Sequence, residues 1–323
     1  MRGTMEYRKL ISFGKSSYVV SLPKTWVIQN KLKKGDLIYF DENKEGLVLQ
    51  ARRNDKVTEE KEIKISVDKK DSRRIQREII SAYIQNYKTI VLHGDEVKNK
   101  ALPLQKWIQN LVALEILEQD SKRIVAKDFL NIGDISLNQI IRKMDVITRS
   151  MLKDCVNMFK EDNWENIALR DNDVNKFRFL VYRITWYATE TGSSILRKMD
   201  ITHRDILNYW WIAYTIEAIA DHAKRIAKFM IDTTLSTPSQ KDFEKLLVTA
   251  EQMFTNLMKA YYTLDHDLAH NVLQSRFELI ERCDAFYEQN KSAENIGYLM
   301  YNLKALIMST NTIGRIVYEG IPG

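Results

Sequence analysis

The sequence predicts a mainly α-helical protein of several domains, in which a small β-rich segment and a small α/β segment precede a long helical region. Three observations predict this class. The 323 residues include only 11 Gly and 4 Pro, so helix breakers are few, and 45% of the residues are hydrophobic. From about residue 135 onward, apolar side chains recur at helical spacing. Residues 17–36 instead alternate like a strand and then enter a short helix.

The first predicted domain covers residues 1–53. Pro23 suits the first turn of its helix, and Gly35 suits a left-handed C-cap at the end of that helix. A unit of about 50 residues with short strands has little core of its own, so we expect it to need a partner. Strands are predicted at residues 17–22, 36–40 and 47–50, and a polar linker is predicted at residues 54–60.

Excess positive charge is confined to this first domain. It holds eleven Lys or Arg against five Asp or Glu, an excess of six that equals the net charge of +6 of the whole chain. The remainder therefore carries equal numbers of acidic and basic residues. A dimer would double the charge on one small surface, which suits a phosphate backbone. The alternative is a solvated basic face without a ligand.

Residues 6–53 contain the segments GKSSYVVSLPKTWV, LKKGDLIYF and GLVLQ. With these segments the domain resembles the swapped-hairpin DNA-binding module of the SpoVT/AbrB family. The resemblance implies that two chains interleave their strands into one small β-barrel and place basic loops on double-stranded DNA. It therefore implies a homodimer formed through the N-terminal domain. The predicted DNA contacts are Arg8, Lys9, Lys15, Ser16, Ser17 and Lys24.

The second predicted domain, residues 61–132, has a different pattern. The segments EIKISV, KTIVLHG, ALEILEQ and RIVAKDF predict strands, and residues 72–87 and 104–112 predict helices. This βαβαββ order is typical of a small sheet covered by helices. The segment contains no Gly-rich phosphate loop. We interpret it as a spacer or as support for a dimer.

The remaining sequence predicts two bundles of three helices each, at residues 135–232 and 240–318. A break around Pro238 separates them. The repetition of one plan amounts to an internal structural repeat. The predicted helices cover residues 135–160, 162–196 and 204–231 in the first bundle, and 242–264, 267–289 and 293–318 in the second.

An acidic pattern lies on the third helix of the first bundle. Glu217 and Asp221 are four residues apart and therefore share one face, where two like charges repel unless a cation is shared. Asp171, on the preceding helix, can approach them across the bundle, which is a common way to build a metal site. The alternative is an ordinary exposed face on which Asp221 pairs with Lys224 or Arg225.

The same segments resemble the acidic motifs of PhoU-type phosphate regulators. IEAIADHAKRIA is similar to their ExxxDHxxxIA helix, and RDNDVNKF is similar to their DxxxD motif. The resemblance implies two three-helix repeats, a metal ion such as a divalent, iron or zinc ion at the first bundle, and control of phosphate uptake through a transporter and its sensor kinase. The metal ligands it implies are Asp171, Asn175, Glu217 and Asp221, with Asn175 standing where the family has a second acid.

The second bundle departs from that motif. By the same register, Arg276 and Ile280 occupy the acidic positions of one helix, and Ile307 and Asn311 those of the other. A basic and an apolar side chain cannot build an acidic cluster. We expect the second metal site to be lost and Arg276 to fill the place of a cation.

The combination of the two resemblances is similar to archaeal phosphate-uptake regulators and predicts a DNA-binding transcription regulator in phosphate homeostasis. The alternative is an adaptor that contacts a phosphate transporter or sensor kinase and uses its N-terminal domain only to dimerise. We do not expect an enzyme, because the bundle helices carry no Glu-x-x-His pair. The sequence has two distant cysteines, no apolar stretch at its start and no run of membrane-spanning length. These features predict a cytoplasmic protein that is not integral to a membrane.

Overall fold

The computed structural model describes residues 7–43, 46–51, 61–191 and 193–320. Most of these residues are helical, as the sequence predicts. The chain divides into two compact units, residues 1–59 and residues 60–323. None of the described helices is both long and apolar enough to cross a membrane. The predicted linker at residues 54–60 lies outside the described residues. The predicted boundaries of the domains stay predictions.

The first unit contains two antiparallel hairpins and one short helix. The described strands form two separate two-stranded sheets, so the barrel implied for two interleaved chains stays a prediction. The third strand begins three residues later than the predicted start at residue 36. The elements are β1 (Ile11–Phe13) paired with β2 (Ser17–Val19), α1 (Lys24–Gln29), and β3 (Tyr39–Asn43) paired with β4 (Gly46–Gln50).

Helix α1 begins directly after Pro23, as predicted, but it does not extend to Gly35. Lys31, two residues beyond the helix, takes the left-handed conformation with φ of 55°. Gly35 also has a positive φ, 97°, but it lies in a separate turn in which Asp36 accepts a hydrogen bond from the backbone N–H of Lys33 at 2.6 Å. The predicted end of the helix is therefore wrong, because the C-cap glycine belongs to the next turn.

Apolar side chains of the first unit lie at its surface. Phe13 and Tyr18 are each 70% exposed and Leu37 is 72% exposed. No side chain of this unit is buried among those whose exposure the structure describes. One copy of the unit therefore lacks a core, as the sequence predicts.

The second unit begins with the predicted βαβαββ order. Its four-stranded sheet has the order β5-β6-β8-β7, with β5 parallel to β6 and the other pairs antiparallel. Helix α3 starts at Val97, seven residues before the predicted start, and holds Pro103 in its interior. Val97, the first residue of this helix, is fully buried. The elements are β5 (Glu62–Ser66), α2 (Ser72–Ile84), β6 (Thr89–His93), α3 (Val97–Gln109), β7 (Leu114–Gln119) and β8 (Arg123–Asp128).

A single turn of 3₁₀ helix, Ile132–Asp134, leads into the helical region. Helices α4, α5 and α7 pack on one another, and α8, α9 and α10 do the same. The region predicted as one helix at residues 162–196 is described as α5 and α6, and residue 192 between them lies outside the described residues. The helices are α4 (Leu137–Asn157), α5 (Trp164–Thr191), α6 (Ser193–Lys198), α7 (His203–Ile231), α8 (Thr237–Thr263), α9 (His266–Asn290) and α10 (Ile296–Gly320).

The two sets of helices share one hydrophobic core. Helix α7 packs against α10 and α4 packs against α8, so Ile219 and Ile226 belong to the same buried cluster as Leu303 and Ile307. The sequence predicts two bundles with a break around Pro238, and this residue does lie in the first turn of α8. The break around Pro238 therefore separates α7 from α8, but it does not divide the hydrophobic core in two.

Buried Arg183 on α5 joins the helical region to the α/β sheet. Its Nη1 donates to Oδ1 of Asp128 at 2.8 Å, and its Nη2 donates to the other carboxylate oxygen. Its Nε donates to Oδ1 of Asn86 at 3.1 Å. Burial by itself would raise the pKa of Asp128, but the hydrogen bonds and charges of Arg183 and Lys88 hold it below its usual value. The α/β part is therefore anchored to α5 by a satisfied ionic contact.

Candidate functional site

Helices α5 and α7 bring the predicted metal-ligand positions together. Asp171 and Asn175 lie on α5, and Glu217 and Asp221 lie on α7. The Asp171 side chain is only 4% exposed. Charge from Asp221 acts on both Asp171 and Glu217, so the three carboxylates form one electrostatic group.

Lys224 lies between two of these carboxylates. Its Nζ is 2.6 Å from Oδ2 of Asp171 on the facing helix and 3.0 Å from Oδ1 of Asp221 on its own helix. The second oxygen of Asp221 pairs with Arg225. Asp221 thus pairs with both residues named in the alternative to a metal site, and Lys224 adds a link between helices.

Glu217 has a basic partner that the sequence analysis missed. Arg178 on α5 places Nη1 3.0 Å from Oε2 of Glu217. Arg178 follows Asp171 by seven residues, or about two helical turns, and Lys224 follows Glu217 by the same spacing. The order is acid then base on both helices, and α5 and α7 run antiparallel, so each acid meets a base. That repeated spacing is the signal from which the pairs could have been found.

Asn175 presents a donor rather than an acceptor to this group. Its Nδ2 lies 3.0 Å from the backbone oxygen of Asp171 and 3.3 Å from Oδ2 of the same residue. Oδ1 of Asp171 and Nε of Arg178 are buried without a hydrogen-bond partner, so one acceptor and one donor are left over. A cation would satisfy the acceptor only.

The charges of this site balance without a metal ion. Asp171, Glu217 and Asp221 are matched by Lys224, Arg178 and Arg225. Within the described part of the chain, no group of three or more His, Cys, Asp or Glu side chains is placed to hold a metal. As arranged, these residues do not fit a divalent cation, and metal binding remains a prediction.

Burial and pairing act against each other on the titratable groups. Burial raises the pKa of Asp171 above its usual value, and the hydrogen bond from Lys224 opposes the rise. Burial likewise raises the pKa of Glu217, and the charge of Arg178 opposes it. For Lys224, burial by itself would lower the pKa, but hydrogen bonds to Asp171 and Asp221 outweigh it and raise the pKa. The Lys224 ammonium is thereby stabilised.

In the second set of helices, a basic side chain occupies the position that corresponds to Asp171. Arg276 on α9 donates from Nη1 to Oδ1 of Asn311 on α10, which is buried. In the same register, Gly314 stands where α7 has Lys224. A Cβ at Gly314 would lie 2.6 Å from Cδ2 of Leu273, so the space that a lysine would need there is already filled.

The predicted DNA contacts all lie on exposed parts of the first unit. Lys15 and Ser16 form the turn between β1 and β2, which Gly14 enters with φ of 72°. This hairpin turn brings three of the predicted residues together, and DNA contact stays a prediction. The remaining positions are Ser17 at the start of β2, Arg8 and Lys9 before β1, and Lys24 at the start of α1.

Two family models match the chain. The one described as PhoU domain matches residues 141–230, which include α5, all of α7 except its last residue, and the group of carboxylates just described. The one described as antidote-toxin recognition MazE, bacterial antitoxin, matches residues 11–57. No curated protein and no solved structure matches the chain. The resemblance drawn from the sequence is therefore confirmed: a region similar to the MazE/AbrB-like antitoxin domain precedes a region similar to the PhoU domain.

Proposed function

We propose that the protein is a dimeric DNA-binding transcription regulator in phosphate homeostasis. In this proposal the first unit contacts double-stranded DNA, and the helical region controls that contact. The AbrB-like match supports DNA binding, and the PhoU match supports the link to phosphate. The proposal requires no catalytic step.

The observation that carries this proposal is the surface of the first unit. Its apolar side chains, among them Phe13, Tyr18 and Leu37, are exposed in one copy, although burial would stabilise each of them by about 1.5–3 kcal/mol. A second copy of the same unit offers the same apolar side chains and supplies the missing core. A dimer carries the excess of six positive charges of this domain twice.

Contacts to phosphate dominate the expected affinity. Lys15 with its neighbouring hydroxyls lies on a hairpin turn, and Lys24 begins α1, so their side chains reach outward from fixed backbone. Each phosphate neutralised by such a side chain contributes roughly −0.9 to the slope of log K against log salt concentration. The proposal therefore predicts DNA binding that weakens steeply with salt.

The test compares two double variants of the full-length protein. Lys15→Glu with Lys24→Glu reverses two charges in the first unit, and Lys98→Glu with Lys153→Glu makes the same change at exposed positions of the second unit. We expect only the first variant to lose affinity for promoter fragments and to show a shallower salt slope, as measured by fluorescence anisotropy. Mapping of bound genomic DNA at high and low phosphate then tests the regulatory part, with occupancy expected to differ between the two conditions.

The second candidate function is an adaptor that regulates a phosphate transporter or sensor kinase by protein contact. The match of a PhoU model to helices that are separate from the basic unit favours it. The same experiment separates the two functions. If Lys15→Glu with Lys24→Glu binds DNA as the unaltered protein does, with the same salt slope, the first unit is not a DNA reader and the adaptor function is favoured.

A further inference from the structure

We propose that the ammonium group of Lys224 takes the place of a metal ion between α5 and α7 and keeps divalent cations out of this site. The inference does not depend on DNA binding. It starts from the position of Nζ, which lies within hydrogen-bonding distance of carboxylates on two different helices. A bridging cation in a helical bundle makes the same kind of link.

The balance of charge supports this assignment. A divalent ion entering between Asp171 and Asp221 would meet carboxylates that each already use one oxygen to bind Lys224, and it would lie close to the ammonium. Because Asp171 is almost fully buried, water and salt screen this repulsion less than they would at the surface. The group already holds as many positive as negative charges, so no excess negative charge remains to attract the ion.

Of the two neighbouring basic side chains on α7, Lys224 lies where it can have this effect and Arg225 does not. Arg225 pairs with the outer oxygen of Asp221, and its side chain is 50% exposed. Lys224 reaches across to Asp171, and its own side chain is 29% exposed. The two neighbours therefore provide a matched pair of positions for a test, one between the helices and one at the surface.

The second set of helices gives an independent observation of the same kind. Arg276 and Asn311 occupy the positions equivalent to Asp171 and Asp221, and they are hydrogen-bonded to each other. Since Leu273 fills the space beside Gly314, the basic group in this set comes from α9 rather than from α10. Each set thus has a side-chain cation among the positions that the resemblance assigns to a metal site.

The experiment measures Mn²⁺ and Zn²⁺ binding to the full-length protein by equilibrium dialysis, together with the thermal unfolding midpoint with each metal and with a chelator. The unaltered protein and Arg225→Gln are expected to bind neither metal at this site and to keep the same midpoint throughout. Lys224→Gln is expected to gain at least about tenfold in affinity, and its lowered midpoint should rise when metal is added.

A double variant controls for folding. Lys224→Gln with Asp171→Asn removes both partners of the link, so no buried carboxylate is left unpaired, and it is expected to bind no metal because one ligand is lost. Stoichiometric metal on the unaltered protein that Asp171→Asn abolishes would overturn the proposal, whether or not Lys224→Gln folds. A folded Lys224→Gln variant that gains no affinity would overturn it as well.

Discussion

At the scale of single residues, the contact between α5 and α7 shows which ion pairs a sequence reveals. Pairing of Asp221 with Lys224 and Arg225 was foreseen as an alternative, because residues three and four apart on a helix are neighbours. The pairs between helices, such as Arg178 with Glu217, were not foreseen. The equal seven-residue spacing on α5 and α7 is a signal for these pairs, but it does not fix how far one helix lies along the other, and that register decides which charges meet.

The Arg178–Glu217 pair permits a prediction at this scale. Arg178→Met leaves Glu217 largely buried without its partner, and we expect a loss of about 1–3 kcal/mol in the free energy of unfolding. Glu217→Gln in the same chain should recover part of that loss, since no unpaired charge then remains. Urea unfolding of the single and double variants measures both. Equal stability of Arg178→Met and the unaltered protein would show that the pair contributes nothing.

At the scale of elements, the order of helices and strands could be predicted, whereas several ends could not. Residue periodicity identified the βαβαββ segment and the helices that follow it. The predicted start of this helix at residue 104 is seven residues too late, because α3 begins at buried Val97 and runs through Pro103. Likewise Gly35 suggested a C-cap that Lys31 supplies instead. Burial and local turns, which spacing does not reveal, decide these ends.

The anchor between α5 and the sheet gives a prediction for these elements. Arg183→Met leaves Asp128 buried with less compensation and is expected to destabilise the protein by about 3–5 kcal/mol. Arg183→Met with Asp128→Leu should recover most of that loss, because it removes both charges. The control is Lys61→Met, which breaks an exposed pair with Glu190 that also links the α/β part to α5 and should cost less than about 1 kcal/mol. Denaturant unfolding separates these outcomes.

The same anchor predicts a dependence on pH. Because its partners hold the pKa of Asp128 below the ordinary value of 3.8, its ionised form stabilises the fold above that value. The contribution is lost as pH falls through the lowered pKa. The stability difference between the unaltered protein and Asp128→Asn should therefore be constant near neutral pH and shrink below about pH 3.8. Urea unfolding at neutral and acidic pH tests this, and a difference that grows on acidification would contradict it.

At the scale of the whole molecule, the two units differ in how they bury apolar surface. Helices α4, α5, α7, α8, α9 and α10 share one continuous core, whereas the first unit buries no side chain among those whose exposure the structure describes. The short strands of a small unit indicated that the first unit lacks a core of its own. The sequence did not indicate the shared core of the helices, because a repeated three-helix plan does not reveal which faces the two sets present to each other.

A dimer of the full-length chain is the prediction that follows. Phe13→Ser with Leu37→Ser removes apolar surface from the first unit and should convert the dimer to a monomer in sedimentation experiments, with the helical circular dichroism signal retained. Leu102→Ser with Phe129→Ser makes a similar change at exposed positions of the second unit and should leave the dimer intact. A monomeric unaltered protein at micromolar concentration would contradict the prediction.

The packing of α7 on α10 bears on how such a chain is inherited. Each of these two helices covers part of the hydrophobic core of the other half. A gene divided near Pro238 would therefore yield two fragments with exposed hydrophobic surfaces. Neither fragment would be expected to stay in solution alone, and mixing them should restore a complementary pair. Each half of the helical region therefore depends on the other to cover its apolar face, and a replacement of one half would have to supply a matching face.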